Sequence, residues 1–142
     1  FARTNGVWAQ QAYIKSSNIR QDDLFGIRLA LSDDGSALAA GAPLQGGGGR
    51  GHNPPQHDFS APESGAVYLF RRDAGRWAQV GYLKAPNADP YDQFGSGVAL
   101  SGDGRTLAVG AMAESSGARG VGGNQNDNTV RASGAAYVYD LR

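Results

Sequence analysis

Apolar residues alternate with small or polar ones over short stretches of this chain, and glycines or Asp-Gly pairs interrupt them. This period-2 pattern predicts β-strands. Ile27, Leu29 and Leu31 fall on one face of a strand, as do Val98 and Leu100 later on. Asp34-Gly35 and Asp103-Gly104 then read as hairpin turns into 38–42 and 107–111, so each pair is antiparallel. A long polar loop follows in both places. Beyond it, 66–70 and 135–139 alternate again, and a turn at Asp73-Ala74-Gly75 leads into a fourth strand over 77–84. No helical periodicity of useful length appears.

The chain is also a repeat. Displaced by 69 residues it meets itself without a gap: Trp8-Ala9-Gln10 falls on Trp77-Ala78-Gln79, Tyr13 on Tyr82, Lys15 on Lys84 and Asn18 on Asn87. Phe25-Gly26 meets Phe94-Gly95, Gly41-Ala42 meets Gly110-Ala111, and Ser64-Gly65-Ala66 meets Ser133-Gly134-Ala135. Each copy is a four-stranded antiparallel meander. The central strands carry small residues such as Ala39, Ala40, Ala42 and Ala108, which let sheets pack closely face to face. Radial stacking of such sheets is the propeller solution to exposed edges.

Phe25-Gly26 with Gly41-Ala42-Pro43, and Phe94-Gly95 with Gly110-Ala111-Met112, resemble the FG-GAP repeat of integrin alpha-subunit propellers. The runs Tyr82-Leu83-Lys84-Ala85, Asp92-Gln93-Phe94-Gly95 and Ser133-Gly134-Ala135-Ala136-Tyr137-Val138-Tyr139 are similar to bacterial secreted proteins of that type. The resemblance implies an all-β fold of two four-stranded blade repeats, secreted or at the cell surface. In the family's blade order the strand after Phe-Gly is A, that with Gly-Ala-Pro is B, that with Gly-Ala-Val-Tyr is C, and the outer, Trp-bearing strand is D.

The ends are then out of phase, in the order D-ABCD-ABC. Residues 1–15 read as an outer strand D completing a neighbouring blade, 16–84 as blade repeat 1, and 85–142 as blade repeat 2 lacking its own strand D. An exposed strand edge recruits another strand. The expected donor is 7–15, with Trp8, Tyr13 and Ile14, and the expected acceptor is 135–139, with Tyr137 and Tyr139. Two blades do not close a ring. Further blades of a longer chain, a ring of identical chains and an open filament remain alternatives.

Integrin-type blades often hold calcium in the A-B hairpin. Here Ser32-Asp33-Asp34-Gly35 and Ser101-Gly102-Asp103-Gly104 are too short to wrap a cation and read as turns. A second candidate calcium site is the B-C loop of the second copy, with Asn124, Asn126 and Asp127 joined by Glu114, Asp89 and Asp92. The alternative is Asx-turn chemistry, and the first copy keeps only Gln56 and Asp58 of that polar run. His52, His57 and Asp58 read as a solvated loop, since Pro54-Pro55 interrupts them and no third histidine exists.

Thirteen basic residues balance thirteen acidic ones, with no clustered Lys or Arg to attract nucleic acid. No run approaches the eighteen or so apolar residues of a membrane helix, so no membrane insertion is expected. Cysteine is absent, and no Gly-x-Ser-x-Gly elbow is present, so no enzymatic activity is expected. The reading is an extracellular structural or adhesion protein that assembles by strand complementation with further blades or further copies of itself. The alternative is a carbohydrate- or protein-binding, lectin-like propeller module, with a glycan or protein ligand.

Overall fold

A computed structural model describes residues 1–142. It contains nine strands and no helix: β1 (Ala2–Thr4), β2 (Val7–Ala9), β3 (Arg28–Leu31), β4 (Ala37–Ala42), β5 (Ala66–Asp73), β6 (Arg76–Leu83), β7 (Phe94–Leu100), β8 (Thr106–Ala111) and β9 (Ala135–Asp140). Three antiparallel sheets result, ordered β1-β2, β3-β4-β5-β6 and β7-β8-β9. The all-β, blade-like organisation expected from the sequence is the one observed. Without helices there is none long and apolar enough to cross a membrane.

The repeat extends to the backbone itself. Every residue in the left-handed region pairs with another 69 positions away, including Asp22 with Tyr91 (φ 64° and 73°), Leu24 with Gln93 (55° and 57°) and Glu63 with Ala132 (53° and 52°). None of these six is a glycine, so each conformation is imposed by the surrounding hydrogen bonds rather than chosen by the residue. The amino-terminal hairpin follows the same rule. Asn5-Gly6 turns from β1 to β2 just as Ala74-Gly75 turns from β5 to β6, both residues of each turn having positive φ.

One expected strand is shorter than its pattern. The outer strand expected over 7–15 is a strand only over β2, because β1 offers it just three partners, Ala2 to Ala9, Arg3 to Trp8 and Thr4 to Val7. In the first copy the matching segment pairs along its full length, from Asp73 with Arg76 to Val67 with Leu83, with a bulge between Leu69 and Phe70. Residues after Ala9 keep the strand's sequence but have no sheet to join.

The core lies between the two larger sheets. Ala39, Val67, Leu69 and Leu83 from one face of the first sheet pack against Phe94, Leu107, Val109 and Ala111 of the second, with Val98, Leu100, Tyr137 and Tyr139 at the border. Fully burying each larger aliphatic side chain contributes roughly 1.5–3 kcal/mol. The opposite face of the first sheet forms a second cluster of Ala40, Ala42, Tyr68, Phe70 and Tyr82, against which Phe25, Ile14 and Trp77 lean. Alanines at positions 39, 40 and 42 let both faces of β4 be covered at once.

Candidate assembly site

The outer strand β6 of the first sheet shows what a completed position looks like. Tyr82 and Lys84 follow each other at strand spacing, so both side chains reach the same face. Tyr82 stacks on Tyr68 with ring centroids 5.2 Å apart, and its hydroxyl donates to Gln45 Oε1 at 3.0 Å. Lys84 Nζ donates to Ser64 Oγ at 2.7 Å and to Gln45 Oε1 at 3.1 Å. Burial pulls the Lys84 ammonium down to about 7, against the opposing pull of Asp23, Asp58 and Asp92. The same burial pushes the Tyr82 phenol up to about 12.

The B-C loop closes over the strand from outside. Asn53 N donates to Tyr82 O at 2.7 Å, Asn53 Oδ1 accepts from Tyr82 N at 2.8 Å, and Lys84 N donates to Gly51 O at 2.9 Å. The strand thus sits between β5 on one edge and residues 51–53 on the other. Lys84 beside Ser64 has the spacing of a base and a nucleophile. Both side chains are fully buried, which leaves no room for a substrate to reach either atom.

The second sheet, whose outermost strand is β9, reproduces the same frame. Tyr137 OH donates to Asn87 Oδ1 at 2.7 Å as Tyr68 OH donates to Asn18 Oδ1 at 2.5 Å. Ser133 Oγ donates to Ser116 O at 2.7 Å as Ser64 Oγ donates to Gly47 O at 2.8 Å. Gly120 and Gly122 repeat the positive φ of Gly51 and Asn53. Nothing lies on the outer edge of β9. In place of the strand there is an open slot of ≈ 560 Å³, floored by Glu114 and Ser133 and walled by Tyr137, Ala136, Gly120 and Gly122. Tyr137 is pushed above the usual phenol range by burial, with Glu114 adding to it.

The expected donor residues lie on the other side of the molecule's first sheet. Tyr13 is 80% exposed, against 0% for its repeat mate Tyr82. Trp8 is exposed too, with the Arg3 guanidinium 5.9 Å from its ring. Ile14 packs on the Tyr68–Phe70 cluster just as Leu83 packs on the second sheet, and β1 pairs with residues 7–9 of the same segment. Tyr139 is half-buried beside Phe94, centroids 6.3 Å apart. Its hydroxyl is buried without a hydrogen-bond partner, and burial raises it to about 12.

Several of the candidate calcium ligands accept hydrogen bonds from nearby backbone. Asn124 Oδ1 accepts from Asn126 N at 3.1 Å and Asp127 Oδ1 from Thr129 N at 3.1 Å, both Asx turns. Asp58 Oδ1 does the same for Ser60 N at 3.0 Å in the first copy. Asp92 Oδ2 accepts from Asp89 N at 2.9 Å, and burial holds this carboxyl above the usual range. Asp89 pairs with Arg50 at 3.3 Å and with Asn128 at 2.8 Å. No group of three or more Asp, Glu, His or Cys side chains is gathered to hold a metal ion. In the A-B turns, Asp34 Oδ1 accepts from Ser32 Oγ and Ser36 N, which holds Asp34 at about 2.

Sequence pattern does not single out Lys84, and it marks Glu114 only as a calcium ligand. A further signal is nonetheless present: Gln45 and Glu114 occupy one repeat position and differ by a charge. No curated protein and no solved structure gives a match to the chain. Residues 77–139, from the outer strand of the first sheet through β9, match the FG-GAP repeat family. Residues 77–139 therefore carry an FG-GAP repeat, and the same strands, turns and buried bonds recur 69 residues earlier in the chain.

Proposed function

We propose that the chain is a structural, adhesion-type module of the cell exterior whose second blade is completed by an outer strand supplied from another blade. One observation carries this reading: the slot beside β9 has the floor, wall and loop arm that in the first sheet enclose Tyr82 and Lys84. A strand laid there gains main-chain hydrogen bonds along β9 and two pockets for alternate side chains, which is recognition by strand addition. The outward face of the second sheet is apolar at Val138. Val138 is 73% exposed where its repeat mate Leu69, covered by the next sheet, is 7%.

The test is amide exchange in the protein with and without a peptide of the sequence of residues 7–15. Protection along 135–140, beyond that of the free protein, is the expected result. Unchanged exchange there would overturn the reading, and protection of the slot by a glycan but not by the peptide would replace it with the ligand-binding alternative.

A further inference from the structure

We propose that the side chains of Lys84 and Gln45 join spontaneously in the folded chain, forming an isopeptide bond between Nζ and Cδ with release of ammonia. The two meet inside the first sheet, so the inference is independent of strand addition at β9. Gln45 stands just beyond β4, at the start of the long loop, and Lys84 directly follows β6, 39 positions later. Both are fully buried.

The carboxamide is held as an electrophile. Its Oε1 accepts three hydrogen bonds, from Gly47 N at 2.9 Å, Tyr82 OH at 3.0 Å and Lys84 Nζ at 3.1 Å. Donors gathered on the oxygen draw electron density from Cδ, and they sit where negative charge develops when a nucleophile adds there. A Cβ on Gly47 would stand 2.6 Å from the Tyr82 hydroxyl and 2.9 Å from Gln45 Oε1, so glycine is what lets this N–H come so close. On the other side of the carboxamide, Nε2 is buried without a hydrogen-bond partner. It has no bond to give up on leaving, and its departure removes an unsatisfied buried group.

The nucleophile lies beside it. Lys84 Nζ is 2.7 Å from Ser64 Oγ, whose own proton goes to Gly47 O at 2.8 Å, so the serine accepts from the lysine and fixes its nitrogen next to the carboxamide. Burial draws the ammonium down to about 7, although Asp23, Asp58 and Asp92 all favour its charged form, and neutral amine is therefore available near neutral pH. Tyr82, pushed up to about 12, keeps its proton and remains a donor.

The step balances within the pair. The lone pair of neutral Nζ forms a bond to Cδ, and the carbonyl π electrons move onto Oε1, where Gly47 N and Tyr82 OH receive the charge. A proton passes from the now cationic Nζ to Nε2, the carbonyl re-forms, and the Cδ–Nε2 bond breaks to release ammonia. The fold supplies the proximity and orientation that aminolysis of an amide in solution lacks. The bond clamps the end of the outer strand to the loop that leaves β4. The amine titrates only until the bond forms, so the pH dependence of Lys84 belongs to the freshly folded chain. The second copy carries Glu114 at the Gln45 position, and a carboxylate is no electrophile for an amine, which confines the reaction to the first copy.

The experiment follows the intact mass of the freshly refolded full chain over several days at a pH above the Lys84 value of about 7. Wild type loses the mass of one ammonia. Trypsin, blocked at Lys84, then yields a branched peptide joining residues 29–50 to 77–105. Gln45→Glu, which installs the residue of the second copy, and Lys84→Met both abolish that peptide. Tyr82→Phe keeps the ring stacked on Tyr68 and slows bond formation on the order of a hundredfold. Wild type held unfolded in urea does not form the bond, a control that needs no variant to fold.

A wild-type mass that stays at the sequence value, with cleavage after Lys84, overturns the proposal. So does a loss of ammonia that maps to any other asparagine or glutamine. Bond formation at the same rate in urea, or at the wild-type rate in Tyr82→Phe, overturns the assignment of the chemistry to this buried site.

Discussion

A Cβ placed on Gly41 would stand 2.3 Å from the carbonyl oxygen of Gly95. Gly41 belongs to the Gly-Ala-Pro motif of the first copy and Gly95 to the Phe-Gly motif of the second, so the two glycine motifs meet where the sheets stack. Gly95 itself has φ 90° and lies 2.5 Å, by the same measure, from Ala66 O.

The consequence is position-dependent. Gly41→Ala forces two backbones apart and should destabilise the chain by at least the roughly 1–3 kcal/mol typical of overpacking, read from the urea midpoint. Gly110→Ala occupies the same motif position in the second copy, where the atom nearest to the added Cβ, Gly97 N, is 3.6 Å away. It should leave unfolding within about 0.5 kcal/mol of wild type, as surface changes do. Equal effects of the two substitutions on unfolding would contradict this account.

Burial of Lys84 makes stability depend on pH. Its folded value of about 7 lies below the ordinary 10.5, so between these values the unfolded chain binds more protons and stability rises with pH. The contribution is full above 10.5 and lost as pH falls to about 7. Tyr68, Tyr82 and Tyr137 act oppositely, since burial raises each and stability falls as pH climbs past 10. Chemical denaturation from about pH 6 to about pH 10 should therefore show a rise toward the alkaline end, and Lys84→Met should flatten it. An unchanged slope in that variant would place the titration elsewhere.

The tyrosine-asparagine bonds are matched struts. Asn18→Ala leaves the Tyr68 hydroxyl buried without its acceptor and should cost about 1–3 kcal/mol by thermal or urea unfolding. Asn87→Ala also removes a donor to Glu114, so its cost should include a loss of slot geometry, seen as weaker binding of the residue 7–15 peptide. Peptide affinity equal to that of wild type would separate Asn87 from the slot.

Asp127 and Asp58 make the same Asx turn in the two long loops. Each Asp→Ala substitution should cost up to about 1.5 kcal/mol, the same whether calcium or a chelator is present. A calcium-dependent gap confined to Asp127→Ala, measured by differential scanning calorimetry, would support the cation site expected over Asp89, Asp92, Glu114, Asn124, Asn126 and Asp127.

The alternation of apolar positions, the Asp-Gly turns and the 69-residue displacement determined the strands, their antiparallel order and their recurrence along the chain, because face alternation and turn chemistry are local properties of the chain. Tertiary structure decided which member of each repeated pair is buried. Tyr13 and Tyr82, or Lys15 and Lys84, are indistinguishable by local pattern, yet one of each pair lies exposed and the other is enclosed by β5, Gln45 and residues 51–53. Burial depends on whether a partner strand and a loop arm from distant positions close around the side chain, and only the folded arrangement shows which side chains are enclosed in this way.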